Sequence, residues 1–250
     1  MSVPGCNQGP WLTTGGFPAT SFTLFSGDVT RIVESQEQVA TTKIVRNLAE
    51  QDLLEQMLED GKPGSIDPDR HYLLSTPFRY PPLKYGSRFG SIAEPSLFYA
   101  SLDLQTCLSE CAYYRFIFWY DMESSPPNPI RTQHTVFRVE LHSELCVDLR
   151  SGYYDDIRAD LRSPVSYETS QALGARLRGD GTEMIVFESA RGEGDNVAAY
   201  SPCVFSCAPK EQEQWNSELT GDMVLLRGPE GLFRFQYTDF SGEDGRLLRV

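Results

Sequence analysis

LFYASLDLQTCLSECAYYRFIFW, residues 97–119, holds the change of texture on which the fold depends. Residues 97–101 are a short apolar run of strand type. Residues 102–119 read as a helix expected to start at Asp103, a residue type whose carboxylate caps exposed backbone N–H groups. Strand followed at once by helix is the building unit of layered α and β folds. Three polar side chains stand out on it. Tyr99 and Ser101 lie at the end of the strand, and Glu110 sits in the helix beside Leu108, Cys111 and Ala112, neighbours that fit poorly with full exposure.

On the C-terminal side, strand signals dominate. TVFRVEL (135–141) alternates Phe137, Val139 and Leu141 with Arg138 and Glu140, the pattern of a half-buried strand. MIVFES (184–189) is a compact, mostly apolar run suited to a central strand. DMVLLR and LFRFQY flank GPEG and predict a hairpin with Phe233, Phe235 and Tyr237 on one face. YETSQALGARLRG (167–179) predicts a further helix ending at Gly179, and ESSPPNP (123–129) is a loop rather than a linker between domains. On the N-terminal side, residues 1–26 predict an irregular strap. The run from Ser26 to Pro63 then spaces Ile44, Val45, Leu48, Leu54, Met57 and Leu58 helically. It predicts two helices or one bent helix, capped at Ser26 or Asp28, stopped by Gly61 and Pro63, and packed as an amphipathic layer on a sheet. The class is mixed α+β.

Composition narrows what such a fold can do. The 250 residues are 40% hydrophobic and 23% charged, as in a globular protein able to bury a core without metal or disulfide staples. A net charge of −13, from 35 acidic against 22 basic residues, excludes nucleic-acid binding over the bulk surface while leaving room for one local basic pocket or a basic partner protein. No run of about 18 apolar residues is present, as a membrane-spanning helix requires. TSFTLFSGD is too short and lacks the basic lead of a secretory signal, so the expected location is the cytoplasm. Six cysteines, at 6, 107, 111, 146, 203 and 207, are then expected as reduced thiols. The pairs 107/111 and 203/207 are each four apart, without the two-residue gap of structural zinc sites, so no metal is assigned.

No H-E-x-x-H, G-x-S-x-G, Walker loop or G-x-G-x-x-G after a strand occurs. What remains is a constellation. FRYPPLKYGSRFG (78–90) offers Arg79, Lys84 and Arg88 as an island of positive charge, followed by Tyr99 and Ser101, then Glu110, and later Ser189 at the end of an apolar strand. Arg88, Tyr99 and Glu110 would set a phosphate clamp, an aromatic platform and a carboxylate on consecutive elements. Taken singly, each has a plain reading: a surface arginine, a core tyrosine with its hydroxyl tied off, the outer face of a helix, an edge serine.

In order and spacing, Arg88 in GSRFG, Tyr99 and Ser101 in LFYAS, Glu110 in the next helix and Ser189 in FESAR resemble the RES family, named for its arginine, glutamate and serine, which includes toxins of toxin–antitoxin pairs. The resemblance covers roughly residues 70–205, with the helical leader resembling that of longer members. It implies a fold like the ADP-ribosyltransferases, a mixed, largely antiparallel sheet with flanking helices and a cleft for NAD. It divides the chain into an N-terminal strap and helical extension (1–66), a catalytic domain (67–210) and a C-terminal hairpin and tail on the same domain (211–250).

The implied activity is cleavage of the nicotinamide–ribose bond of NAD as substrate, by a phosphorylase with inorganic phosphate as co-substrate or by a glycohydrolase. The alternatives are ADP-ribosyl transfer to a protein target, or a catalytically idle interaction module. Catalytic roles are carried over to Arg88, Tyr99, Glu110 and Ser189, and NAD binding to Arg79, Arg88, Tyr99 and Ser101. The implied partner is a helix-turn-helix antitoxin, with no direct contact to nucleic acid or membrane. Ser87, Phe89 and Gly90 stand where many members show Gly, Trp and Asn.

Overall fold

The computed structural model describes residues 17–35, 47, 49–50, 53–54, 56–57, 70–82 and 84–250. The strands are β1 (Thr23–Glu34), β2 (Phe98–Ser101), β3 (Ile130–Asp148), β4 (Met184–Glu188), β5 (Asp195–Ala199), β6 (Lys210–Leu219), β7 (Met223–Gly228) and β8 (Gly231–Gln236). The continuously described α-helices are α1 (Tyr72–Arg79), α2 (Leu104–Tyr120), the single turn α3 (Arg158–Leu161) and α4 (Glu168–Gly179). All eight strands join one sheet in the order β1-β2-β5-β4-β3-β6-β7-β8. Pairing is antiparallel except between β3 and β4, whose parallel alignment needs a crossover, supplied by the segment carrying α3 and α4. The fold is therefore mixed α+β with a large, mostly antiparallel sheet and flanking helices.

β1 also pairs with β3, so β1, β2, β5, β4 and β3 close into a ring. Val29, Phe98, Ala100, Phe137, Val139, Leu141, Met184, Val186, Val197 and Ala199, drawn from all five of those strands, form one core inside it, joined by Leu73, Leu74 and Phe78 of α1. Alternate side chains point the other way, as the two-residue period of a strand requires. Val147, Ile185, Phe187 and Ala198 pack with Leu173 and Leu177 of α4. A third cluster sets Leu108, Ala112 and Phe116 of α2 against Trp215, Leu219, Val224, Leu226 and Phe235 of β6–β8.

The helical reading of residues 26–34 is corrected. They belong to β1, an unbroken strand whose residues Phe25 to Glu34 pair with Ser143 to His134 of β3. Val29, Thr30, Ile32 and Val33 are β-branched and favour extended backbone, and β3 offers an edge to satisfy it. Downstream, residues 49, 50, 53, 54, 56 and 57 are helical, but Leu53 and Met57 are exposed rather than packed as a layer on the sheet. Ile44, Val45, Leu48, Leu58 and the strap up to residue 16 lie outside the described residues.

Candidate functional site

α2 begins where Asp103 caps it: the carboxylate accepts hydrogen bonds from Thr106 N at 2.8 Å and Thr106 Oγ1 at 2.7 Å. Buried side chains lie on most of its circumference, so a carboxylate carried by this helix is carried into the interior. That carboxylate is Glu110. Its Oε1 accepts Ser189 Oγ at 2.7 Å and Asn196 Nδ2 at 2.7 Å. Asn196 Oδ1 in turn accepts Ser101 Oγ at 2.6 Å, and Ser189 Oγ accepts the Arg191 backbone N–H at 3.0 Å. The chain Ser101–Asn196–Glu110–Ser189 joins β2, β5, α2 and the end of β4 into one network. Both hydrogen bonds to the carboxylate fall on Oε1, leaving Oε2 without a protein donor among the described residues.

Glu110 faces a cleft of about 690 Å³, the size of a small-molecule site, whose lining also includes Arg31, Arg88, Tyr99, Ser101 and Asn196. Arg88 reaches it from a tight turn in which Ser87 N donates to Gly90 O at 2.7 Å. Gly86 enters the turn at φ +70°, a conformation open to glycine. Gln171 Nε2 of α4 donates to Tyr85 O at 3.1 Å and Ser87 O at 3.0 Å. α4 comes this close because Gly174 has no side chain, for a Cβ there would lie 2.2 Å from Phe89 O. Phe89 itself is wholly buried, its ring 4.7 Å from that of Phe187, so this position serves the core.

Arg88 Nη1 donates to Leu161 O at 2.8 Å and Ser163 O at 3.0 Å, and the guanidinium lies 4.9 Å from the Tyr167 ring centre. The α3 region therefore aims the side chain and leaves its remaining N–H groups for the cleft. The Tyr99 hydroxyl donates to Ser87 Oγ at 2.9 Å and accepts Phe89 N–H at 3.0 Å, pinning the arginine turn to β2. Burial raises the Tyr99 phenol to about 12, so it stays a neutral donor.

Four of the cleft's residues carry a guanidinium: Arg31, Arg88, Arg115 and Arg191. On a protein of net charge −13 this is a local reversal of sign. Burial lowers Arg31 only to about 10, so it remains a cation at neutral pH; its Nη1 donates to the Tyr99 carbonyl and its guanidinium lies 4.8 Å from the Phe98 ring centre. Arg191 is committed to structure, donating to Leu248 O and Pro164 O and lying over Tyr113.

The sequence-derived residues separate accordingly. Arg88, Tyr99, Ser101 and Glu110 line the cleft, and Ser189, fully buried, reaches it through Glu110. Arg79 is not among the lining residues; it ends α1, which packs on β2 and the 202–204 turn. Lys84 sets its amine 5.2 Å from the Tyr85 ring centre, also outside. The basic island is built instead from Arg31 and Arg115, which a linear search around Arg88 could not reach. Asn196 belongs to no motif; its signal is an amide in β5 beside the apolar run Val197, Ala198 and Ala199. Among the described residues Cys107 and Cys146 are buried, Cys111 is half-buried, Cys203 and Cys207 are exposed, and all five are free thiols.

The family model described as RES domain matches residues 62–219. In fold the chain is similar to "Crystal structure of the M.tuberculosis MbcT-MbcA toxin-antitoxin complex", with a TM-score of 0.45 and 13% identity over 80% of this chain and 87% of that one, a likeness too distant to transfer the role of any residue. No curated protein matches the chain. Arg31 and Glu34 of β1 fall outside the matched segment although both line the cleft. With well over half of its length matched by this one model, the chain belongs to the RES domain family.

Proposed function

We propose that the protein consumes NAD by breaking the bond between nicotinamide and the adjoining ribose, with inorganic phosphate or water as the acceptor. One observation carries this reading. A carboxylate, Glu110, is fixed by two hydrogen bonds on Oε1 inside a cleft whose lining also carries four guanidinium groups. Membership of the RES family directs the choice of NAD as substrate.

Breaking the C1″–N bond sends its electron pair to the ring, and nicotinamide leaves as a neutral molecule. No strong general acid is needed, which suits a cleft whose one histidine, His134, is held neutral by burial, its pKa lowered to about 4. Positive charge accumulates on the ribose as in glycoside hydrolysis, and Glu110 Oε2 is the group available to stabilise it. Ser189 and Asn196 act as positioning residues, holding that carboxylate still. Arg88 offers its uncommitted N–H groups to the pyrophosphate as a planar donor. The new bond forms from C1″ to a phosphate oxygen or to water, giving ADP-ribose 1″-phosphate or ADP-ribose.

The test is to incubate the protein with NAD, with and without phosphate, and to follow nicotinamide and the ADP-ribosyl product by mass. Glu110→Gln, which keeps the size of the side chain and removes its charge, is expected to lower kcat by about 10²–10³-fold. Release that requires phosphate identifies phosphorolysis, and release indifferent to it identifies hydrolysis. ADP-ribose appearing on protein instead would establish a transferase. No release from folded protein would sink the reading and leave an interaction module. In the toxin setting of the family, an antitoxin that covers the cleft is the partner this activity calls for.

A further inference from the structure

The cleft extends beyond Glu110 to the end of β1, where it meets Arg115 of α2. Arg115 is 8% exposed. Its Nη1 lies 3.3 Å from Glu34 Oε2, yet Nε and Nη2 are buried with no hydrogen-bond partner among the described residues. Cationic N–H groups withdrawn from water without an acceptor are costly, and a fold keeps them where something else supplies the acceptor. Glu34 does not, since its side chain is 59% exposed and its contact uses Nη1.

The surroundings indicate the sign of that acceptor. The β1–β3 register sets Glu34 opposite His134, whose Nε2 lies 2.9 Å from Thr132 Oγ1. Burial and the nearby Arg115 keep this imidazole uncharged. Arg31, three residues before Glu34, also has its Nε buried and unpartnered among the described residues. Two guanidinium groups thus line the cleft together with one well-hydrated carboxylate and one neutral imidazole, and three of their nitrogens are unused among the described residues.

We propose that this end of the cleft is an oxyanion subsite that takes a phosphate group, held by the Nε–Nη2 edge of Arg115 with Arg31 as a second donor. A guanidinium edge presents two parallel N–H groups at the spacing of two phosphate oxygens. The group has two sources: inorganic phosphate, or a phosphoryl group of a dinucleotide. The site stands apart from NAD cleavage; only the choice of source rests on that reading.

Inorganic phosphate and, separately, NAD are titrated calorimetrically into the wild type, Arg115→Met and Arg115→Lys, with unfolding midpoints measured in parallel. Phosphate is expected to bind the wild type and raise its midpoint. Arg115→Met is expected to weaken phosphate binding by about 10–100-fold, with Arg115→Lys in between. Without ligand, the midpoint of Arg115→Met should hold or rise, because an apolar side chain replaces an incompletely paired buried charge. Weakened phosphate binding with unchanged NAD binding names inorganic phosphate as the source. A wild type that ignores phosphate, but whose NAD affinity falls by that factor in Arg115→Met, names the dinucleotide. Unchanged affinities in folded Arg115→Met overturn the subsite, as does unfolding of both variants, which would make Arg115 structural. Phosphate binding lost in Arg115→Met by a protein that never releases nicotinamide would keep the subsite and remove NAD cleavage.

Discussion

Glu110 shows what a single residue contributes and what it borrows. Its apolar neighbours in sequence marked it as a carboxylate turned inward, but its usefulness comes from Ser189 and Asn196, 79 and 86 residues further along the chain. A carboxylate free to rotate spreads its charge over several positions, whereas one held through Oε1 presents Oε2 at one. Ser189→Ala removes one of the two holds without touching the charge. A hydrogen bond to a charged group contributes about 1.5–3 kcal/mol, so kcat for nicotinamide release is expected to fall by about 10–100-fold with KM for NAD little changed. A fall carried by KM instead would mean that Ser189 binds substrate rather than positioning Glu110. Arg88, Tyr99, Ser101, Glu110 and Ser189 were reached through the resemblance to the RES family, whose pattern lies on consecutive or strongly patterned segments. Arg31, Arg115 and Asn196 were not, since each becomes part of the site only through a partner distant in sequence.

At the scale of elements, α2, β3, β4 and the β7–β8 hairpin were legible because local pattern and tertiary environment agree. Asp103 caps where it should, Phe137, Val139 and Leu141 alternate into the ring, and Phe233, Phe235 and Tyr237 all join the cluster beneath α2. β1 was not legible. The helical periodicity of the residues after it extended a pattern over residues 26–34, whose strand state depends on pairing with β3 at least 100 residues away. α4 illustrates the same dependence in energy. Alanine is favoured over glycine by about 1 kcal/mol in a helix interior. Gly174→Ala is nevertheless expected to destabilise the protein by about 1–3 kcal/mol, because the new Cβ collides with the Phe89 carbonyl, and to lower activity by shifting Arg88. Chemical denaturation checks the first and the nicotinamide assay the second; a more stable Gly174→Ala protein would contradict the close approach of α4 to the arginine turn.

For the whole molecule, the buried charges set how stability responds to pH. His134 has a folded pKa of about 4 against an ordinary value near 6.5, lowered by burial first and by Arg115 second. Between those values the unfolded chain binds the proton and the folded chain does not. The contribution is thus complete above about pH 6.5 and is lost as pH falls toward 4. Asp148, held below its usual range chiefly by the side-chain hydrogen bond from Arg150, adds a further loss at lower pH. The unfolding midpoint is expected to drop between pH 6.5 and 4 in the wild type and less steeply in His134→Gln. Equal slopes would mean that His134 is solvated.

The sequence by itself determined the α+β class, the strand–helix unit at 97–119 and the arginine and carboxylate that its elements carry into one cleft, because short-range pattern and capping chemistry act within a few residues of the chain. Only the tertiary structure decided that β1 closes a five-stranded ring, that Arg31 and Arg115 line the cleft and Arg79 does not, and that Glu110 is held by one oxygen. Those are settled by strand register and by the burial of charge. Both depend on which distant segments meet, a property that no local stretch of sequence encodes.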